Sequence, residues 1–181
     1  MDATYRITKI VLKAGHEKIC IITGSNRIGI SRERLSGYHK AYEECGLAAA
    51  PTYIFEGDFT AKTAYAYSKK MLAAADRPSA VITCNNSLGL GFLQALTERR
   101  MEVPRDIEHI GIDEIDSFDY LHMRYNHVIR KRGEMAYQAI DLLMEQMEHG
   151  DKKGSDRVIT PELEVDHHLM EIAIKEKIIS K

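Results

Sequence analysis

Residues 77–99 read RPSAVITCNNSLGLGFLQALTER, and the hydrophobic pattern of this stretch changes halfway along. The first half carries the continuous apolar run AVI at 80–82, which is typical of a strand buried on both faces of a parallel sheet. From Ser87 onward the leucines recur at helical spacing, so a helix follows the strand directly. The intervening asparagines, Asn85 and Asn86, therefore lie at the carboxyl end of a strand.

At this position the two asparagines can have different roles, a helix cap and a ligand contact. Ligands of open α/β proteins bind in the crevice beyond the carboxyl ends of the strands. We interpret Asn86 as the N-cap of the following helix, because its side chain can accept a hydrogen bond from a free backbone N–H group. Asn85, one residue earlier, is then the better candidate for a ligand contact.

Strands and helices alternate on both sides of this stretch. Strands are predicted at 18–23, 52–55, 80–83 and 107–112, and helices at 2–14, at 31–45 with Ser31 as its cap, and after a cap at Thr60. Such alternation produces right-handed βαβ units. We therefore predict a doubly wound parallel sheet with helices on both faces, a three-layer α/β/α arrangement.

The pattern changes after residue 112. Residues 113–119 are predicted to form an acidic loop, 134–148 an amphipathic helix, and 151–156 a polar loop. Residues 157–165 are the last predicted strand, and Pro161 within it favours an edge position or a bulge.

Composition excludes several classes of protein. The chain has 181 residues, 44% of them hydrophobic and 29% charged, with a formal net charge of −2. This balance predicts a soluble globular protein with one sizeable core and no electrostatic attraction to nucleic acid or an anionic membrane. No apolar run approaches the ~20 residues of a membrane span. We interpret the three cysteines as reduced and structural, which together with the lack of a signal-peptide pattern predicts a cytoplasmic protein.

Charged and polar side chains follow the strands on one predicted rim of the sheet. Arg34 is predicted in the first turn of its helix, where a cation is unfavourable against the helix dipole unless an anion or a polar ligand compensates. Asn85 and Asp113 follow the third and fourth strands, while Asp58 is interpreted as a turn or cap residue. Because Arg34, Asn85 and Asp113 converge on the crevice, we predict that they line a binding site.

Motifs for other chemistry are absent from the sequence. The eight histidines and the acidic loop match no metal-binding spacing, and the loop at 24–29 lacks the phosphate-loop and dinucleotide fingerprints. We therefore predict no metal, no cofactor and no catalytic residue. The alternative is a small α/β enzyme that uses Asp113, Glu114 or Cys84, although no paired catalytic motif supports it.

Several motifs with matched spacing resemble the effector-binding region of the LacI (lactose-repressor) family of bacterial transcription regulators. The resemblance covers residues 8–165 and is carried by GHEKI at 15–19, ITG at 22–24, RLSGY at 34–38, EGDFT at 56–60, RPSAV at 77–81, Asn85 with LGLG at 88–91, VPRDI at 103–107 and IGID at 110–113. It implies periplasmic-binding-protein-like lobes behind a helix-turn-helix headpiece, with a sugar, sugar phosphate or nucleobase-like effector between the lobes.

The resemblance also implies roles for individual residues. By position, Arg34, Asn85 and Asp113 would contact the effector. The family's Gln-Pro ahead of the late helix corresponds to His127-Val128 here, so His127 is a fourth expected contact that departs from the pattern. The usual Asn-Asp pair is Asn85-Asn86 in this chain, which removes a carboxylate, and the identity of the effector is therefore not transferred.

The same resemblance implies a domain organisation. We assign 1–16 to a helix of an incomplete amino-terminal lobe, 17–125 to the carboxy-terminal effector-binding lobe, 126–156 to a return to the incomplete lobe, and 157–181 to a final strand and tail. A homodimer that reaches DNA only through a headpiece absent from this chain is expected. A periplasmic-type sugar-binding protein shares the fold and is a second alternative.

Overall fold

The computed structural model describes residues 2–115, 125–149 and 156–179. Its helices are α1 (Asp2–Lys13), α2 (Gly29–Glu44), α3 (Ala61–Ala73), α4 (Asn86–Glu98), α5 (Arg132–His149) and α6 (His167–Lys175), with a short 3-10 helix at Pro51–Tyr53. Its strands are β1 (Ile19–Gly24), β2 (Ile54–Gly57), β3 (Ala80–Thr83), β4 (Glu108–Ile112), β5 (Asn126–Ile129) and β6 (Glu162–Glu164).

The strands of the described residues form one six-stranded sheet in the order β2-β1-β3-β4-β5-β6. The predicted strands pair in parallel, β2 with β1, β1 with β3 and β3 with β4, and β5 adds to β4 in the same sense. The edge strand β6 runs antiparallel to β5. The predicted doubly wound parallel sheet is confirmed, and the strand after Pro161 occupies an edge, as expected for a residue without a backbone N–H.

Helices cover both faces of the sheet because the right-handed crossovers reverse direction at β1. The helices α1 and α2 pack together on one face, and α3 and α4 on the other. The strands β1, β3 and β4 are buried along their whole length, which explains their continuous apolar runs.

Some predicted boundaries are wrong for local reasons. The helix α2 begins at Gly29 and its N-cap, Ile28, makes no side-chain cap, so Ser31 is not the capping residue. The cap of α4 is Asn85 rather than Asn86, whereas Thr60 caps α3 as predicted. The loops predicted at 116–119 and 151–155 lie outside the described residues.

The carboxyl-terminal third differs most from the prediction. The expected strand at 157–165 is reduced to Glu162–Glu164, while β5 and α6 are elements that the sequence pattern did not indicate. Strand β5 begins with two polar residues, Asn126 and His127, and so lacks the continuous apolar run of the other parallel strands. Both side chains find hydrogen-bond partners within the fold, which permits their burial.

The first helix packs into the hydrophobic core that the sheet and its helices form. Ile7, Ile10 and Val11 of α1 are fully buried, and α1 packs against both α2 and α6. Its apolar face is thus covered by this chain. The domain boundaries themselves stay a prediction.

No helix in the described part of the chain combines the length and the apolarity that a membrane span requires.

Candidate functional site

A cavity of about 260 Å³ opens at the carboxyl ends of β4 and β5. It is lined by the first turn of α1, the start of α2, the ends of both strands, the start of α5 and the segment before β6. Its volume is close to the ~300 Å³ at which small-molecule sites begin. Its charged lining residues are Arg34 and Arg130.

Arg34 projects from α2 and is only 7% exposed. It makes no hydrogen bond and no ion pair with any residue that the structure describes. A buried charge without a partner is unfavourable, and a guanidinium carries five N–H donors. Arg34 therefore offers its donors to whatever enters the cavity.

The position of Arg34 within its helix differs from the prediction. Because α2 begins at Gly29, Arg34 lies in the second turn rather than the first, where the helix dipole acts more weakly. Arg34 lines the cavity, and its burial without a described partner, rather than the helix dipole, is what makes its charge notable.

Asp113 follows β4 directly and is held by Arg130, which follows β5. The Nε atom of Arg130 donates to Oδ1 of Asp113, and its Nη2 atom donates to Oδ2 over 2.9 Å. The backbone of Asp113 has a φ of 83°, and its carbonyl accepts a hydrogen bond of 2.5 Å from the Tyr125 hydroxyl. Both carboxylate oxygens are thus engaged within the protein, and Arg130 keeps its other N–H groups for the cavity.

Asn85 occupies the same rim but does not line this cavity. Its Oδ1 accepts a hydrogen bond of 2.7 Å from the backbone N–H of Leu88, and its Nδ2 donates to the carbonyl of Phe59 over 3.4 Å. Phe59 has a φ of 64°, and its ring lies where a side chain at Gly24 would otherwise be. Asn85 therefore caps α4 and fixes the backbone of Phe59 at the switch point between β1 and β3.

His127 is not brought to the cavity. Side chains alternate along a strand, so Val128 and Arg130 face the cavity while His127 faces the opposite side of β5. The His127 ring stacks on Tyr125 with centroids 4.6 Å apart, and Nδ1 lies 3.0 Å from the Tyr125 carbonyl oxygen. The expectation that His127 contacts an effector in this cavity finds no support in its position.

The residues of the enzyme alternative are each engaged within the fold. Burial raises the pKa of the Cys84 thiol to about 11, although the nearby charge of Arg34 lowers it. Such a thiol is not the thiolate that nucleophilic catalysis needs. Glu114 is paired with Arg132 over 3.0 Å, and both oxygens of Asp113 are occupied by Arg130.

Within the described residues, no group of three or more histidine, cysteine, aspartate or glutamate side chains is arranged to hold a metal ion.

Sequence analysis missed Arg130, which lies opposite Asp113. A signal for it exists, because residues of opposite charge directly after neighbouring parallel strands meet at one edge of the sheet. That signal could be read only after β5 was recognised as the neighbour of β4.

The parallel sheet and the open cavity at its carboxyl edge are typical of α/β domains that bind small molecules. Residues 8–165 match the family described as periplasmic binding protein-like domain, and the chain belongs to this family. The relatives of the chain are LacI-family transcriptional repressors, of which it matches the effector-binding region.

Three of these relatives indicate how far the similarity extends. The HTH-type transcriptional repressor PurR of Haemophilus influenzae (strain PittEE) is 33% identical over 165 residues, which are 90% of this chain and 49% of the repressor. The structure of the Escherichia coli transcriptional repressor AscG is 26% identical with a TM-score of 0.78, covering 90% of this chain and 59% of that one. A sugar-binding transcriptional regulator of the LacI family from Escherichia coli, complexed with phosphate, is 26% identical with a TM-score of 0.76, covering 90% and 58%. The chain thus spans about half of the length of the repressor PurR.

Proposed function

We propose that this chain is the small-molecule effector-sensing region of a LacI-type transcriptional regulator that acts in the cytoplasm. The effector is a sugar, a sugar phosphate or a nucleobase-like molecule, and it binds in the cavity that Arg34 and Arg130 line. Binding there alters the operator affinity of a helix-turn-helix headpiece outside this chain.

The observation that carries this proposal is the state of Arg34. Its guanidinium is buried beside an open cavity and has no partner among the described residues. Such a group is stabilised when a ligand supplies the acceptor atoms that the protein does not. The relatives, which include a sugar-binding transcriptional regulator complexed with phosphate, support the same class of function.

Each predicted site residue has a place in this proposal. Arg34 contacts the effector directly, and Asp113 acts through Arg130, whose side chain it orients. Asn85 shapes the rim by fixing the start of α4 and the backbone of Phe59. His127 is not included.

The chain by itself is not proposed to bind DNA, and a homodimer is proposed as its assembly. A net charge of −2 provides no non-specific attraction to the phosphate backbone. The dimer is proposed because the described residues leave an apolar surface of α5 exposed.

The experiment is a thermal-shift screen of the 181-residue chain with sugars, sugar phosphates and nucleosides. A ligand that binds the native state alone raises the melting temperature through mass action. The variant Arg34→Gln should lose the shift, corresponding to at least about a tenfold weaker affinity.

The matched control is Lys70→Ala, which removes one positive charge from an exposed position in the last turn of α3. This variant should respond as the wild type does. A shift that persists in Arg34→Gln, or turnover of any screened compound, would contradict the proposed function.

A further inference from the structure

We propose that α6 is a latch, a helix that docks on and detaches from the amino edge of the sheet, and that protonation of Glu108 strengthens its docking. The amino edge is formed by the first residues of β4 and β5, at the end of these strands away from the cavity. The helix follows residues 8–165, the part of the chain that matches the family. Docking of α6 is therefore independent of the proposed effector.

The helix α6 is docked through an apolar side and a capped start. Leu169 and Ala173 are fully buried, and the helix packs against α1. Asp166 caps the helix, since its Oδ1 accepts a hydrogen bond of 3.0 Å from the backbone N–H of Leu169. An isolated helix shorter than about 12 residues is only marginally stable in water. The nine residues of α6 are therefore expected to be helical only while they are docked.

Asn126 joins the start of α6 to two strands. Its Oδ1 accepts a hydrogen bond of 2.7 Å from the backbone N–H of Asp166, which fixes the orientation of the amide because that N–H can only donate. The Nδ2 group therefore faces two carboxylates. It donates to Oδ2 of Asp166 over 3.1 Å and to Oε1 of Glu108 over 3.0 Å. One buried amide thus holds β4, β5 and α6 together.

The two carboxylates make this contact sensitive to pH. Because both accept from the same Nδ2 group, their charges lie close together, and Glu108 is only 5% exposed. Burial is the main cause that raises the pKa of Glu108, and the charge of Asp166 raises it further. The hydrogen bonds from Asn126 and from the backbone N–H of His109 oppose this rise in pKa without reversing it.

Two histidines complete the set of titratable groups around this contact. His168, in the first turn of α6, lowers the pKa of Glu108 by its charge. His16, which follows α1, has its Nδ1 3.1 Å from the Ser79 hydroxyl oxygen. Burial lowers the pKa of His16, and the charge of His168 lowers it further. The effect of His168 on docking must therefore be separated from that of Glu108 by substitution.

Docking of α6 and protonation of Glu108 favour each other. When α6 detaches, Glu108 gains solvent and loses the nearby charge of Asp166, so its pKa returns toward 4.5. Between pH 4.5 and the raised pKa, the docked state binds more protons than the detached state. Docking therefore weakens as the pH rises through this range and strengthens as it falls. The buried His109, on the opposite face of β4, has a lowered pKa, and its effect on the global stability has the opposite sign.

Hydrogen exchange of the full chain, measured by mass spectrometry at pH 7 and pH 5 and corrected for the intrinsic rates, reports the opening of α6. Protection of residues 167–175 should rise by at least about threefold from pH 7 to pH 5. The variant Glu108→Gln keeps an Oε1 acceptor for Asn126 but carries no charge. It should be protected equally at both pH values, and more strongly than the wild type at pH 7. A gain in protection cannot arise from a misfolded protein.

Three further variants test the latch. Asn126→Ala removes a hydrogen bond to each carboxylate and should lower the protection of α6 at least about tenfold at both pH values. Glu43→Gln, the same substitution at an exposed position of α2, should keep the pH dependence of the wild type. His168→Gln should still gain protection on acidification.

The two parts of the proposal can each be overturned. Equal protection of α6 in Asn126→Ala and the wild type would show that this amide does not hold the helix. A wild-type protection that does not rise on acidification, or a rise that persists in Glu108→Gln, would show that Glu108 does not control docking.

Discussion

His109 lies in the middle of β4 with its imidazole completely buried. Its ring packs against Phe92, with centroids 4.8 Å apart, and stacks near Tyr125 at 6.1 Å. Its Nε2 lies 2.9 Å from the Thr83 hydroxyl, whereas its Nδ1 has no hydrogen-bond partner among the described residues. Burial lowers the pKa of His109 from 6.5 to about 3, so the folded protein keeps this imidazole neutral.

The lowered pKa of His109 predicts that the free energy of unfolding decreases on acidification. Between pH 6.5 and pH 3 the unfolded chain binds a proton on His109 that the folded protein excludes. The contribution of the neutral His109 to the free energy of unfolding is therefore fully present above pH 6.5 and is lost as the pH falls. At pH 5 the loss due to His109 should be about 2 kcal/mol. Urea unfolding at pH 7 and pH 5 should show a smaller pH dependence in His109→Gln than in the wild type.

The control for this prediction is His39→Gln, which changes an exposed histidine of α2. It should keep the pH dependence of the wild type. An identical pH dependence in His109→Gln and the wild type would show that His109 does not exclude a proton in the folded state.

At the scale of elements, the contact between α3 and α4 depends on Gly91. A Cβ atom at this position would lie 2.2 Å from the carbonyl oxygen of Ala61 and 2.9 Å from the Cβ of Ala64. The two helix backbones therefore approach more closely than any side chain would permit. Gly91 supports the layer that covers one whole face of the sheet.

The substitution Gly91→Ala should destabilise the protein by about 1–3 kcal/mol, the usual cost of overpacking a core. Gly133→Ala is the matched control, because a Cβ there would meet no atom within 4 Å. Gly133 lies in α5, so alanine should leave the stability unchanged or raise it by up to about 1 kcal/mol. Urea denaturation measures both, and equal stability of Gly91→Ala and the wild type would contradict the close packing.

At the scale of the whole molecule, α5 presents an apolar surface that the described residues do not cover. We call this surface the α5 face; its side chains are 50% to 74% exposed and comprise Tyr137, Ile140, Leu143, Met144 and Met147. The opposite side of the helix is occupied, since Arg157 binds Gln138, Asp141 and Glu145. A contiguous apolar patch of this kind normally marks an interaction site.

We expect a second copy of the chain to cover the α5 face, since burying one Leu- or Met-sized side chain contributes about 1.5–3 kcal/mol. Sedimentation at micromolar concentration should show a dimer, and Leu143→Glu should convert it to a monomer. The control is Gln146→Glu, which adds the same charge to an exposed position of α5 outside this face. A wild-type chain that sediments as a monomer would rule out this assembly.

Local hydrophobic spacing was enough to predict the alternation of strands and helices and hence the parallel sheet. These features depend on hydrophobic spacing between residues close together along the chain. The strands predicted at 18–23, 80–83 and 107–112 and the cap at Thr60 therefore match the structure closely. Arg34 was also predicted from the sequence as a site residue; its role stays a prediction, and its expected position in the first turn of α2 is wrong. The strand β5 was not predicted, because its polar residues Asn126 and His127 interrupt the apolar pattern.

Which candidate side chains meet depends on how the strands pair in the folded chain. Asp113 and Arg130 are separated by 17 positions, and their ion pair exists because β5 lies beside β4 in parallel register. The same register turns His127 away from the cavity, and the loop between β3 and α4 makes Asn85 a helix cap. Side-chain contacts between distant positions depend on the pairing of strands, which no local pattern in the sequence encodes.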